Sequence, residues 1–181
     1  RKKGQAVAAK RSDREASEGC VLGKVKGNFG AIVGVKCETD FVAKNEDFVG
    51  MVKLILDAAL DNKVQSQEEL KNLKIGNFTV AEIITERSGV TGEKMELDGY
   101  LTLEGDNIEV YDHMGKHTLA TMVQLNKNAA EVGHKLAMQV AAMKPVALNA
   151  ESVDQKILDE EYKTAVEKTK LEQVEKYVEV V

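Results

Sequence analysis

Between Cys37 and Asn45 the hydrophobic period of this chain changes, and that change constrains the fold more than any other feature. Upstream, VLGKVK and AIVGVKCE flank Gly27-Asn28-Phe29-Gly30, and Val33, Val35 and Cys37 alternate onto one face. Alternation rich in Val and Ile reads as paired strands, and Gly27 with Asn28 supplies turn chemistry, so residues 21–38 predict a hairpin. Downstream, Phe48, Val52, Ile55, Leu56 and Ala59 recur at helical spacing and predict an amphipathic helix over 45–61. Asn45 is its expected N-cap, with Glu46 and Asp47 well placed against the positive end of the helix dipole.

The rest of the chain extends the pattern. A polar stretch over 63–74 holds a short helix at QEELKNL. Thr79 with Glu82 three residues on predicts a capping box, opening a helix that stops at Gly89. MELDGYLTLEG, IEVYDH and HTLATMVQLN are three strand-like runs, read together as an antiparallel meander. Asn128 is the expected cap of a helix over 129–144, with Val132, Leu136, Val140 and Met143 on one apolar face and Pro145 closing it. From Ser152 the chain is helical and charge-laced. Its two seams, Leu158–Tyr162–Ala165 and Leu171–Val174–Val178–Val181, are out of phase, which predicts a kink or two helices of coiled-coil character. The fold class is therefore α+β: an antiparallel sheet of three to four strands with helices packed on it, followed by a C-terminal helical, coiled-coil-like segment. The expected division is a basic linker over 1–18, a core over 19–151 and a helical region over 152–181.

Composition excludes several function classes. With 25 Lys and Arg against 30 Asp and Glu, the net charge of −5 is unlike that of a chain that leans on phosphates, and no direct nucleic-acid partner is expected. The absence of Trp leaves few stacking platforms for single strands. Residues 1–14 do carry six basic residues against Asp13, a leader read as a solvated linker. The chain opens Arg1-Lys2-Lys3 without an initiator Met, and no apolar stretch follows, so it reads as a trimmed chain or one whose start is missing and not as a signal peptide. No apolar run is long enough to span a bilayer, so no membrane partner is expected. Cys20 and Cys37 form no CxxC and read as two reduced thiols of a cytoplasmic protein.

No phosphate-cradling loop, nucleophile elbow, HExxH or dinucleotide fingerprint occurs, and no cofactor is expected. His113 and His117, with Asp112 beside them, are the one cluster with metal-ligand chemistry, but a further strong ligand at suitable spacing is missing. Tyr111 and His113 should share a face of their strand. The segment Cys37-Glu38-Thr39-Asp40-Phe41-Val42-Ala43 has two readings. In one, Phe41 tucks under the turn as a staple while Asp40 caps a helical turn. In the other, an apolar ring beside an acid is presented at a sheet–helix corner, the kind of rigid aromatic anchor that dominates protein interfaces.

KVKGNFGAIVGVKCETDFVAKNEDF strongly resembles the central stretch of the bacterial elongation factor Ts family, with Cys37–Ala43 as its signature. LEGDNIEVYDH, with its Tyr111-x-His113, and HKLAMQVAAMKP extend the resemblance in order from about residue 19 to about residue 165. The resemblance implies a nucleotide exchange factor for the GTPase elongation factor Tu, acting by binding and without covalent chemistry. It implies that Asp40 and Phe41, flanked by Thr39 and Val42, form a wedge inserted near the magnesium site of that GTPase. It further implies that His113 contacts the same domain. Thr91 falls at a family contact position that is usually apolar, and this departure leaves it outside the candidate set. The family's N-terminal three-helix module and second core subdomain are not recognisable here. Two other readings compete: an acidic α+β interaction or dimerisation module forming a homo-oligomer through 152–181, and a small metal enzyme at Asp112, His113 and His117.

Overall fold

The hairpin forms as the alternation predicts. Strand β1 (Glu18–Lys26) pairs antiparallel with β2 (Phe29–Cys37), from Glu18 opposite Cys37 to Lys26 opposite Phe29. Gly27 closes the turn at φ 61°, a conformation open to glycine at little cost. The computed structural model describes the backbone of residues 2–178 and the side chains of residues 4–6 and 9–171. A four-residue turn of helix, α2 (Asp40–Ala43), follows β2 and leads into α3 (Glu46–Asp61). The Asn45 side chain accepts from the N–H groups of Asp47 and Phe48 at 2.9 and 3.3 Å, the predicted cap. Phe48, Met51, Val52, Ile55, Leu56 and Ala59 of α3 pack on Cys20, Phe29, Ala31, Val33, Val35 and Cys37 of the sheet. Each large apolar side chain buried there contributes about 1.5–3 kcal/mol relative to exposure.

Next come α4 (Gln67–Asn72), a short hairpin of β3 (Lys74–Ile75) and β4 (Phe78–Thr79), and α5 (Val80–Thr91). The capping box at Thr79 and Glu82 is present. The helix runs past the expected stop at Gly89, however. Gly89 is buried inside it, and the left-handed cap is Gly92 at φ 76°.

The expected meander does not form. Strand β5 (Glu96–Glu104) pairs with β2, giving a three-stranded sheet in the order β1-β2-β5. Strands β6 (Ile108–Asp112) and β7 (Ala120–Gln124) make a separate two-stranded ribbon. The reason is edge and surface together. β2 offers β5 a free edge and a place for Leu97 in the core, while the ribbon lies across the other face of the sheet. Gly23 and Gly30 make room for it: a Cβ on Gly23 would stand 2.8 Å from Val110, and one on Gly30 2.6 Å from Met122.

Helix α6 (Ala130–Met143) covers the far side of the ribbon, with its faces reversed from expectation. The packed residues are Gly133, Ala137 and Ala141, whereas Val132, Leu136 and Met143 are exposed and Val140 is half-buried. Close approach explains this. A Cβ on Gly133 would stand 2.6 Å from Glu109, and the buried Thr121 hydroxyl donates to the Ala137 carbonyl at 2.7 Å. Larger side chains would hold the helix off the strands and break that bond.

Part of the segment read as a linker over 1–18 is also helical. α1 (Lys2–Lys10) lies on α5, and a Cβ on Gly4 would come within 2.3 Å of the Thr85 carbonyl oxygen. The chain divides into two compact units, Arg1–Met143 and Lys144–Val181. In the second, a 3₁₀ turn (Ala150–Ser152) precedes one continuous helix, α7 (Gln155–Val178), so the phase break between the two apolar seams does not interrupt it. Leu158, Tyr162 and Leu171 are exposed along α7; the seam residues Val174, Val178 and Val181 fall outside the described side chains. Among the described residues no helix is long and apolar enough to cross a membrane.

Candidate partner-binding surface

The corner between β2 and α2 carries four of the five residues singled out by sequence. Thr39, not Asp40, is the N-cap of α2, its hydroxyl accepting from the Val42 N–H at 3.4 Å. Asp40 occupies the first helical position, and Lys44, one turn on, donates to its carboxylate at 2.8 Å. That ammonium holds the Asp40 carboxyl below its ordinary pKa, and the carboxylate in turn raises Lys44. Phe41 is 84% exposed, so the staple reading fails: the ring is outside the core and faces solvent. Val42 is partly buried against the core cluster and anchors the turn from beneath.

Two acidic side chains tie this corner down. Glu93, just beyond the Gly92 cap of α5, accepts the N–H groups of Glu38 and Thr39 on Oε2, both at 3.1 Å, and the Thr39 hydroxyl on Oε1 at 2.6 Å. Glu38 accepts from the Lys94 N–H at 2.7 Å, from Arg11 at 2.9 and 3.0 Å, and from Arg14 at 3.2 Å. Burial opposes ionisation of Glu38, but these donors together outweigh it and its pKa lies below the ordinary value. Sequence reasoning missed Glu93 entirely. Its partners stand 54 and 55 residues away, and no local spacing signals them.

The fifth candidate, His113, opens a 3₁₀ turn (His113–Gly115) between β6 and β7. Its Nδ1 lies 3.2 Å from the Tyr111 hydroxyl, so the two do share a face. The Tyr111 ring stands edge-on to both His113 and His134, at centroid separations of 5.8 and 5.5 Å. Asp112 accepts from the His117 N–H at 3.1 Å and is hydrogen-bonded to Nδ1 of the same residue. Asp112 and His117 are therefore engaged with each other, and His113 with Tyr111. Among the described residues no group of three potential ligands gathers to hold a metal ion. Met114, at φ 58°, is exposed at the tip of this loop, a feature the sequence did not flag.

The two segments emerge on the same part of the sheet. The Val21 N–H of β1 donates to the His117 carbonyl at 2.7 Å, fixing the loop to the edge of β1. Val21 lies close to Glu18, which pairs with Cys37 at the end of β2 from which the corner departs. Asp112 also bears electrostatically on Cys20, and Cys20 pairs with Val35 near the same end. A rigid sheet thus carries an exposed aromatic ring with an adjacent carboxylate, and a histidine–methionine loop. Such a surface has the exposed aromatic anchor that suits recognition of a protein.

The family model described as Elongation factor TS matches residues 38–181. The chain is 56% identical over 179 residues to elongation factor Ts of Parabacteroides distasonis, covering 99% of this chain and 54% of that protein. It is 57% identical to that of Bacteroides fragilis over 180 residues, with 99% and 54% covered. For Porphyromonas gingivalis the figures are 52% over 170 residues, with 93% and 62% covered. The chain therefore spans roughly half to three-fifths of the length of these relatives.

Proposed function

Because the chain belongs to the elongation factor Ts family, we propose that it binds elongation factor Tu and promotes release of GDP so that GTP can rebind. The observation that carries the proposal is the exposed Phe41 ring on a corner held by Thr39 and Glu93. Solvation of an unpartnered aromatic ring is unfavourable, and a stiff corner that presents one has its binding surface ready-made.

An exchange factor has to bind nucleotide-free Tu more tightly than nucleotide-bound Tu, since a ligand with equal affinity for both states shifts nothing. The coupling is reciprocal, so GDP or GTP expels the factor in turn. In this reading Phe41 enters a site that opens as the magnesium and phosphate contacts of Tu loosen. Asp40 competes for hydrogen-bond donors or disturbs the water shell of the magnesium ion, and Thr39 and Val42 support the turn. His113 contacts the same domain from the loop beside β1. Burying the ring contributes about 1.5–3 kcal/mol, one to two orders of magnitude in an equilibrium constant, so the other contacts share the task. No covalent step is involved, and a cytoplasmic location goes with this role.

The test is release of a fluorescent GDP analogue from Tu, in magnesium and excess unlabelled GDP, with and without the chain. Acceleration by substoichiometric chain supports exchange. A folded chain that leaves the rate unchanged refutes it for this span of the protein. The second reading, self-association without exchange, draws on the exposed Leu158, Tyr162 and Leu171 of α7. Light scattering at two concentrations distinguishes it.

A further inference from the structure

We propose that Glu93 is a positioning residue for Phe41, holding the β2–α2 corner in its partner-ready shape before any partner arrives. The inference rests on the exchange reading for its purpose and on geometry for its content. The chain turns at Glu38 and Thr39, where it leaves β2 and has not yet entered α2, and there it lacks sheet or helix partners for two successive N–H groups. Glu93 accepts both on one oxygen and takes the Thr39 hydroxyl on the other. Charge-assisted bonds of this kind are about twice as strong as neutral ones. The Thr39 oxygen so oriented is the cap of the turn that bears Phe41. One carboxylate therefore sets both the backbone direction and the cap.

Glu93 is itself held. Its carbonyl accepts the hydroxyl of buried Ser88 at 2.5 Å, and its N–H donates to the Thr91 hydroxyl at 3.3 Å. The left-handed Gly92 cap turns the chain off α5 towards the corner. The end of α5 is thereby a fixed post to which the corner is bolted. A corner without that bolt has to be ordered again at each encounter, and that ordering subtracts from affinity.

Three variants test this: Glu93→Ala, Glu93→Gln and Phe41→Ala, with the double variant Phe41→Ala/Glu93→Ala. Glu93→Ala is expected to raise the concentration of chain needed for half-maximal GDP release by about tenfold, the scale of re-ordering one backbone residue. In the Phe41→Ala background the same change is expected to have little further effect, because Glu93 acts through the ring. Glu93→Gln keeps an oxygen able to accept both N–H groups but gives up the charge and the acceptor of the Thr39 hydroxyl, so it is expected to recover part of the loss. If Glu93→Ala does not fold, the remaining partial loss in Glu93→Gln is read in its place, and a Glu93→Gln chain that needs no more than the wild-type concentration overturns the proposal. Independently of Tu, amide hydrogen exchange at Glu38 and Thr39 is expected to accelerate in Glu93→Ala and to stay slow in Glu93→Gln. Unchanged protection of those two amides overturns the proposal, and so does a tenfold loss that persists in the Phe41→Ala background. If the wild-type chain does not accelerate GDP release, the exchange reading fails, and the two amides alone decide whether Glu93 holds the corner.

Discussion

Two phenylalanines seven positions apart answer opposite questions, and substituting each with alanine separates binding from folding. Phe48 is 1% exposed in the core and Phe41 is 84% exposed at the corner. Phe48→Ala removes a packed ring and leaves a cavity, which costs about 3–5 kcal/mol. For a chain of this size that lowers the unfolding midpoint by roughly 6–20 °C. Phe41→Ala removes a ring that touches little, so the midpoint should move by no more than about 2 °C, the usual range for exposed sites. On binding the order reverses. Scaling the burial of a large apolar side chain by the exposed fraction leaves about 1.3–2.5 kcal/mol to be gained at the interface, roughly 10- to 70-fold in affinity. Phe41→Ala is therefore expected to need that much more chain to accelerate release of a fluorescent GDP analogue from Tu. Phe48→Ala, assayed below its midpoint, should retain exchange. The reasoning is refuted if Phe41→Ala melts like Phe48→Ala, or if it folds normally and exchanges at the wild-type concentration.

Three further expectations follow from the packing. Burial pushes Cys20 from an ordinary 9.0 up to about 12 and Cys37 up to about 11, with nearby Asp112 and Glu93 adding to the shifts. The unfolded chain then releases these protons first, so stability is full below pH 9.0 and falls as pH rises toward 11 and 12; urea midpoints across that window should slope less in a variant with both cysteines replaced by alanine. Gly30→Val places atoms where Met122 and Ile108 lie, and overpacking of about 1–3 kcal/mol should lift the β6–β7 ribbon, seen as faster amide exchange in β6 with β2 still protected. Asp112→Ala removes the acceptor of both His117 bonds, and faster amide exchange at His117 and Val21 is expected with little change in the unfolding midpoint.

Much of this protein was legible in order along the chain because its signals are local. The Asn45 cap, the helical stripe from Phe48 to Ala59, the Thr79–Glu82 capping box and the Gly27-Asn28 turn each act within a few residues, where spacing translates directly into backbone geometry. The Cys37–Ala43 motif marked the corner, but two positions for its aromatic ring stayed open. Burial depends on what lies around a side chain, and that is absent from a string of neighbours.

The elements that tertiary structure decided are those where two local solutions were equally good. The β5 sequence suits pairing with β6 or with β2, and the choice went to β2 because its edge was free and the core had room for Leu97. Helix α6 has an apolar stripe and a small-residue stripe, and close packing on the ribbon favoured Gly133, Ala137 and Ala141 over the bulkier Val132 and Leu136. Glu93 finds Thr39 across 54 residues of chain. Sequence by itself determined most of the helices and strands and marked the Cys37–Ala43 motif, although it read α1 as linker. Only the folded chain decided which edges pair, which faces touch and which carboxylate accepts from Glu38 and Thr39, because those are outcomes of competition for shared space.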